Sequence, residues 1–203
     1  MRQSATMLQI PGPQGMLEAK MNRVGETERG LIVLCHPHPA YGGNLNDRIL
    51  ETLANQAIQY GYATLAFNVA GVGASVGQTE SAAMAAADLG AVVAYVSDSK
   101  GSTPKLLGYS FGAIVVSEYL SAQQNLEALL IAPVLALGSK RLSDKARLSG
   151  QVIVGSEDAF AQPKTLSARF EPSSVQLIEG ADHFFNGYDE ALTKAAEPFF
   201  NGT

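Results

Sequence analysis

The run Leu31-Ile32-Val33-Leu34-Cys35 has no polar position. A strand with one wet face alternates apolar and polar residues, so a short continuous run marks a strand covered on both faces. Such a strand needs helices above and below it, and the rest of the chain supplies both element types. Residues 62–67 (YATLAF), 105–109 (KLLGY), 128–132 (ALLIA), 151–155 (QVIVG) and 175–179 (VQLIE) read as further strands. Helical stretches fall between them. The first is capped by Asn46, buries Ile49, Leu50, Leu53, Ala57 and Ile58 on one face, and ends at Gly61. Others are expected at 80–96, 111–120 and 163–170. A last helix carries Tyr188, Ala191, Leu192, Ala195, Ala196 and Phe199 on one stripe. At the start, 7–10 and 16–23 form an antiparallel pair around Pro11-Gly12-Pro13. Repeated strand–helix–strand units predict an α/β fold, a mostly parallel sheet with helices on both faces. Chemistry in such folds gathers outside the carboxyl ends of the strands.

The 203 residues, 46% of them hydrophobic, fit one domain spanning 1–203. Net charge is −5 and only 16% of residues are charged, so the basic patch of a nucleic-acid partner is missing. Cys35 is the one cysteine, which rules out an internal disulfide and fits a reducing compartment. The N-terminal residues lack a long apolar run, and the most apolar stretch, 82–96, contains Asp88 and Gly90 and is too short for a bilayer. A cytoplasmic protein without a membrane partner is expected; oligomeric state is open.

The segment Gly108-Tyr109-Ser110-Phe111-Gly112 fits G-x-S-x-G between a predicted strand and a predicted helix. In that context the serine sits on a sharp turn with its hydroxyl projecting from the sheet edge, while small residues at 108 and 112 let strand and helix backbones approach. A serine hydroxyl is a poor nucleophile until a base takes its proton, and the base needs a third group to orient it. Of the three histidines, His183 lies just past the last strand, in Gly180-Ala181-Asp182-His183. Asp158 lies just past the preceding strand, in Gly155-Ser156-Glu157-Asp158, with Glu157 as a neighbouring alternative. Asp182 is too close to His183 along the chain to face its ring. The order Ser110, Asp158, His183 puts three suitable residue types after three different strands.

Acyl transfer also needs two backbone N–H groups for a developing oxyanion, each worth ~3 kcal/mol. Phe111, after the serine, is one candidate. The other belongs to His36-Pro37-His38-Pro39-Ala40-Tyr41, where the prolines cannot donate; His38 is favoured, with Ala40 and Tyr41 behind it. His36 and His38 as a metal pair lack further ligands, so His36 is read as structural and His38 as pocket lining. Cys35 is read as a core thiol. The loop 71–77 has the glycines but not the Lys-Ser/Thr ending of a phosphate loop, and is read as a tight connection near the site. No cofactor or metal is expected. Tyr41, Phe160 and Phe184 are the candidate substrate contacts, and Phe111 and Phe185 are further candidate walls.

Taken together, HPHPAYGGNLND (36–47), TLAFNVAGVGAS (64–75), GYSFGA (108–113), GSED (155–158) and GADHFF (180–185) resemble the small α/β-hydrolases near the dienelactone hydrolases. The resemblance implies an eight-stranded sheet and a Ser110–Asp158–His183 triad. It differs at Ala70 and Ala74, where relatives carry an Arg and often an acidic residue, and at Ser110, where dienelactone hydrolases use Cys. About 17 residues between Val134 and Gly150 suit a long loop rather than a lid domain. The expected activity is hydrolysis of small soluble carboxylic esters. A thioesterase or peptidase-like acyl hydrolase on the same triad, or a binding module that kept the fold, are the alternatives.

Overall fold

A computed structural model describes residues 5–25, 28–100, 103–123, 126–143 and 148–202. Eight strands form one sheet: β1 (Ala5–Pro11), β2 (Met16–Asn22), β3 (Gly30–Cys35), β4 (Tyr62–Phe67), β5 (Lys105–Tyr109), β6 (Ala128–Ile131), β7 (Gln151–Gly155) and β8 (Val175–Ile178). Among the described residues, six helices accompany them: α1 (Arg48–Gln59), α2 (Ala82–Lys100), α3 (Phe111–Ala122), α4 (Lys140–Ser143), α5 (Pro163–Arg169) and α6 (Asp189–Asn201).

The strand order is β1-β2-β4-β3-β5-β6-β7-β8. β2 pairs antiparallel with β1 and with β4, and every later pairing is parallel. The chain runs outward from β3 to β4, then crosses back to place β5 on the other side of β3. That reversal opens a crevice at the carboxyl ends of β3 and β5. α2 packs beside α3, and α1 beside α6. All of β4 and β6 and nearly all of β3 and β5 are buried, as expected for strands covered on both faces. The outer strand β8 leaves Gln176 and Leu177 exposed.

The expected pattern of strands and major helices is found, with boundaries shifted by a few residues. Three details differ. Asp47, not Asn46, caps α1, its Oδ1 accepting from the N–H groups of Ile49 and Leu50. Asn46 instead accepts from the Lys20 ammonium through Oδ1 at 2.6 Å. On α1, Ile58 is only half-buried while Ala54 and Gln56 turn inward; on α6, Ala191 is exposed and Phe200 takes the inner face beside Phe199. Sequence patterning fixed the apolar stripe to within one position, which is the tolerance of a broad helical face. The short α4 lies in the β6–β7 connection, where no helix was expected; its four residues are too few to show a periodicity. Among the described residues, no helix is long and apolar enough to cross a membrane.

Candidate active site

Ser110 stands on the turn between β5 and α3 with φ of 55° and ψ of −112°. An L-residue in this region carries strain of about 1–3 kcal/mol and needs surrounding structure to hold it. The Ser110 N–H donates to the Ile131 carbonyl on β6 at 2.8 Å, pinning the turn to the sheet. The two glycines are required by contact: a Cβ on Gly108 would lie 2.4 Å from the Gly112 carbonyl oxygen, and one on Gly112 would lie 2.0 Å from that of Cys35. The N-terminus of α3 is thereby pressed against the end of β3.

Asp158 and His183 arrive from the ends of β7 and β8. A Cβ on Gly155 would lie 2.1 Å from the Ala181 carbonyl oxygen, so only glycine lets the β7 and β8 loops run this close. Asp158 Oδ1 accepts from the N–H groups of Phe160 at 2.8 Å and Ala161 at 2.7 Å. Its Oδ2 lies 2.8 Å from His183 Nδ1, and His183 Nε2 lies 3.0 Å from Ser110 Oγ. With a carboxylate facing Nδ1, that nitrogen carries the proton and Nε2 is left to accept from the serine hydroxyl. All three residues are buried. The Tyr109 hydroxyl donates to the His183 carbonyl at 3.0 Å, and burial pushes the Tyr109 phenol well above its ordinary value, keeping it a donor. The alternative acids are elsewhere: Glu157 is exposed, and Asp182 Oδ1 accepts from the Phe184 N–H at 2.9 Å.

The loop after β3 turns through a 3₁₀ turn at Pro39–Tyr41. The Ala40 N–H donates to His38 Nδ1 at 3.1 Å and the Tyr41 N–H to the His38 carbonyl at 3.0 Å, so both amides are committed. Among the described residues, the N–H groups of His38 and Phe111 have no acceptor. Their rings lie 4.8 Å apart.

A cleft of about 370 Å³ opens over Ser110 and His183. Tyr41, Phe160 and Phe184 line it, as the sequence suggested, joined by Val134 and Leu137 from the β6–β7 connection and by Asp47. Tyr41 is 89% exposed and Phe160 60%, so the walls face solvent. Two expected walls are not walls. Phe111 is buried behind its helix turn, and Phe185 is 0% exposed, anchoring the histidine loop in the core with φ of 52°. Sequence reading missed Val134 and Leu137 because that connection raised only the question of a lid. It missed Asp47 because the cap was assigned one residue earlier.

A family model described as alpha/beta hydrolase fold matches residues 30–133. The chain belongs to the α/β-hydrolase fold family. An alpha-beta serine hydrolase homologue from Coxiella burnetii superposes on this hydrolase with a TM-score of 0.83 at 26% identity, over 93% of this chain and 94% of that one. A serine hydrolase without lid from Xanthomonas campestris gives a TM-score of 0.81 at 22% identity, over 100% and 98% of the two chains. An uncharacterized protein of Rickettsia prowazekii is 25% identical, over 93% of this chain and 85% of its own length.

Around the site, the hydrolase fold uses its remaining polar groups as struts. His36 Nδ1 donates to the Pro37 carbonyl at 2.7 Å and Nε2 accepts from the Val69 N–H at 3.2 Å, so the neutral ring ties the loop after β3 to the loop after β4. Burial holds the His36 imidazole down at about 4. The Cys35 thiol is buried and pushed far above its ordinary value, which keeps it unreactive. In the loop 71–77, Glu18 Oε2 accepts from the Ala74 N–H at 2.9 Å and from Asn68 Nδ2 at 2.8 Å. Gly71 and Gly73 of that loop line a polar cleft that shares Gly42 and Gly43 with the Ser110 cleft. Ala70, where relatives were expected to carry Arg, is buried and donates its N–H to Asp88 Oδ2 at 2.9 Å.

Proposed function

We propose that this hydrolase is a carboxylesterase that cleaves small soluble esters through an acyl-enzyme on Ser110. The observation that carries the reading is the continuous Ser110 Oγ–His183 Nε2 and His183 Nδ1–Asp158 Oδ2 line, at 3.0 and 2.8 Å. Ser110 Oγ attacks the ester carbon while His183 Nε2 takes the hydroxyl proton. Asp158 holds the ring and stabilises its charged form, its own position fixed by the Phe160 and Ala161 amides. The N–H groups of Phe111 and His38 receive the oxyanion. His183 then protonates the alkoxide oxygen as the ester bond breaks and the alcohol leaves. Water, deprotonated by His183, attacks the acyl carbon; the carboxylic acid departs and Ser110 regains its proton.

Two features support small substrates: the cleft volume of about 370 Å³, and walls from short loops rather than an added domain. The test is labelling with a fluorophosphonate probe followed by turnover of p-nitrophenyl esters of increasing acyl length. Labelling lost in Ser110→Ala and turnover greatest for short acyl chains is the expected result. Equal labelling of wild type and Ser110→Ala overturns the reading. Acyl-CoA and aminoacyl-amide substrates run alongside separate an esterase from a thioesterase or peptidase.

A further inference from the structure

The cleft is lined by apolar Val134, Leu137, Phe160 and Phe184 and also carries a carboxylate. Among the residues lining it, Asp47 is the one carboxylate, and none is Lys or Arg. Asp47 Oδ1 is spent on α1, accepting from the Ile49 N–H at 2.9 Å and the Leu50 N–H at 3.2 Å. Oδ2 has no hydrogen-bond partner among the described residues, and Asp47 is only half-buried. The neighbouring Arg48 charge acts on Asp47 and Glu51 opposes it, but no ion pair forms between Asp47 and Arg48: that guanidinium pairs with Asp189 and donates to the Phe184 carbonyl at 2.6 Å. An acidic oxygen is therefore left facing a cleft whose other walls are aromatic and aliphatic.

We propose that Asp47 reads the non-reacting end of the substrate, so that the enzyme selects esters bearing an ammonium group over neutral and carboxylate-bearing ones. This rests on the esterase reading. A carboxylate attracts a cation and repels an anion, and both effects grow in a partly desolvated cleft. The exposed faces of Tyr41, Phe160 and Phe184 add a second attraction, since an ammonium is drawn to an aromatic face. Burial raises the Asp47 carboxyl above its ordinary value, and an ammonium beside it favours the ionised form.

The experiment compares kcat/KM for methyl 6-aminohexanoate, methyl heptanoate and monomethyl pimelate, which differ only in a terminal ammonium, methyl or carboxylate. Acetylcholine against 3,3-dimethylbutyl acetate asks the same question on the alcohol side. The second protein is Asp47→Asn, which keeps the helix cap because Asn caps as well as Asp. Wild type is expected to favour the cation by at least about tenfold, over the anion on the acyl side or over the neutral isostere on the alcohol side, and Asp47→Asn to lower that preference to about threefold or less. Thermal melts of the two proteins report folding, and the ratio of substrates, not the rate, is the readout. Turnover with the same ratio in both proteins overturns this inference alone. Turnover of none of the esters by wild type overturns the esterase reading and this inference with it.

Discussion

The Arg48 guanidinium donates to the carbonyl oxygen of Phe184 at 2.6 Å, tying the first turn of α1 to the residue beside His183. A further bond reaches Asn186 Oδ1 at 3.4 Å, and Asp189 completes the cluster. The loop that bears the imidazole is thus held at its outer side by Arg48 and at its inner side by Phe185. Exposed ion pairs contribute only ~0.5 kcal/mol to stability, so Arg48→Ala is expected to melt close to wild type. Catalysis depends on sub-ångström placement, and kcat is expected to drop about tenfold with KM changing less. Arg48→Lys, which cannot span both partners in a fork, recovers part of the loss. Steady-state kinetics with one ester check this; equal kcat for all three proteins would remove Arg48 from the positioning role.

Asp158→Asn tests the orienting acid. Asn retains an oxygen for the Phe160 and Ala161 amides, so the loop keeps its shape. Its amide nitrogen then faces His183 Nδ1 and favours the tautomer whose Nε2 is protonated, which cannot accept from Ser110. kcat is expected to fall by about 10⁴ with the fold intact by circular dichroism.

Acidification should weaken the fold through His36. Its folded value of about 4 lies below the unfolded 6.5, so the unfolded chain binds the proton first as pH falls. This contribution is complete above about pH 6.5 and is lost progressively toward pH 4, with a slope of up to ~1.4 kcal/mol per pH unit. Urea melts from pH 7.5 to 4.5 should show this decline, and His36→Gln, without the titrating ring, should be less stable at pH 7 and flatter across the window.

Glycine substitutions should divide sharply. Gly112→Ala drives a methyl to 2.0 Å from the Cys35 carbonyl oxygen and is expected to cost more than ~4 kcal/mol, seen as loss of soluble protein. Gly187→Ala meets nothing within 4 Å and suffers only its φ of 79°, a cost of about 1 kcal/mol measurable by thermal melt.

Much of this arrangement is legible in the amino-acid order because it depends on local signals. Continuous apolar runs mark the buried strands, and G-x-S-x-G marks the turn at Ser110. The positions of Asp158 and His183 just past strand ends follow from the same alternation. What is not legible depends on which segments meet in space. Phe185 and Phe184 are adjacent and alike in chemistry, yet one anchors the loop in the core and the other lines the cleft. Only the backbone turn between them, with Phe185 at φ of 52°, decides that division. Arg48 and Phe184 are far apart in the chain, and no periodicity links them. Asp47 shows both sides: its residue type announces a cap, while its second oxygen acquires a role only from the cleft it meets.

The β6–β7 connection brings Val134 and Leu137 to the cleft, and its described residues fold no cover over it. On the esterase reading, bulk solvent therefore stays within reach of every covalent intermediate. On the same reading, that access favours hydrolysis over transfer to scarce alcohol acceptors.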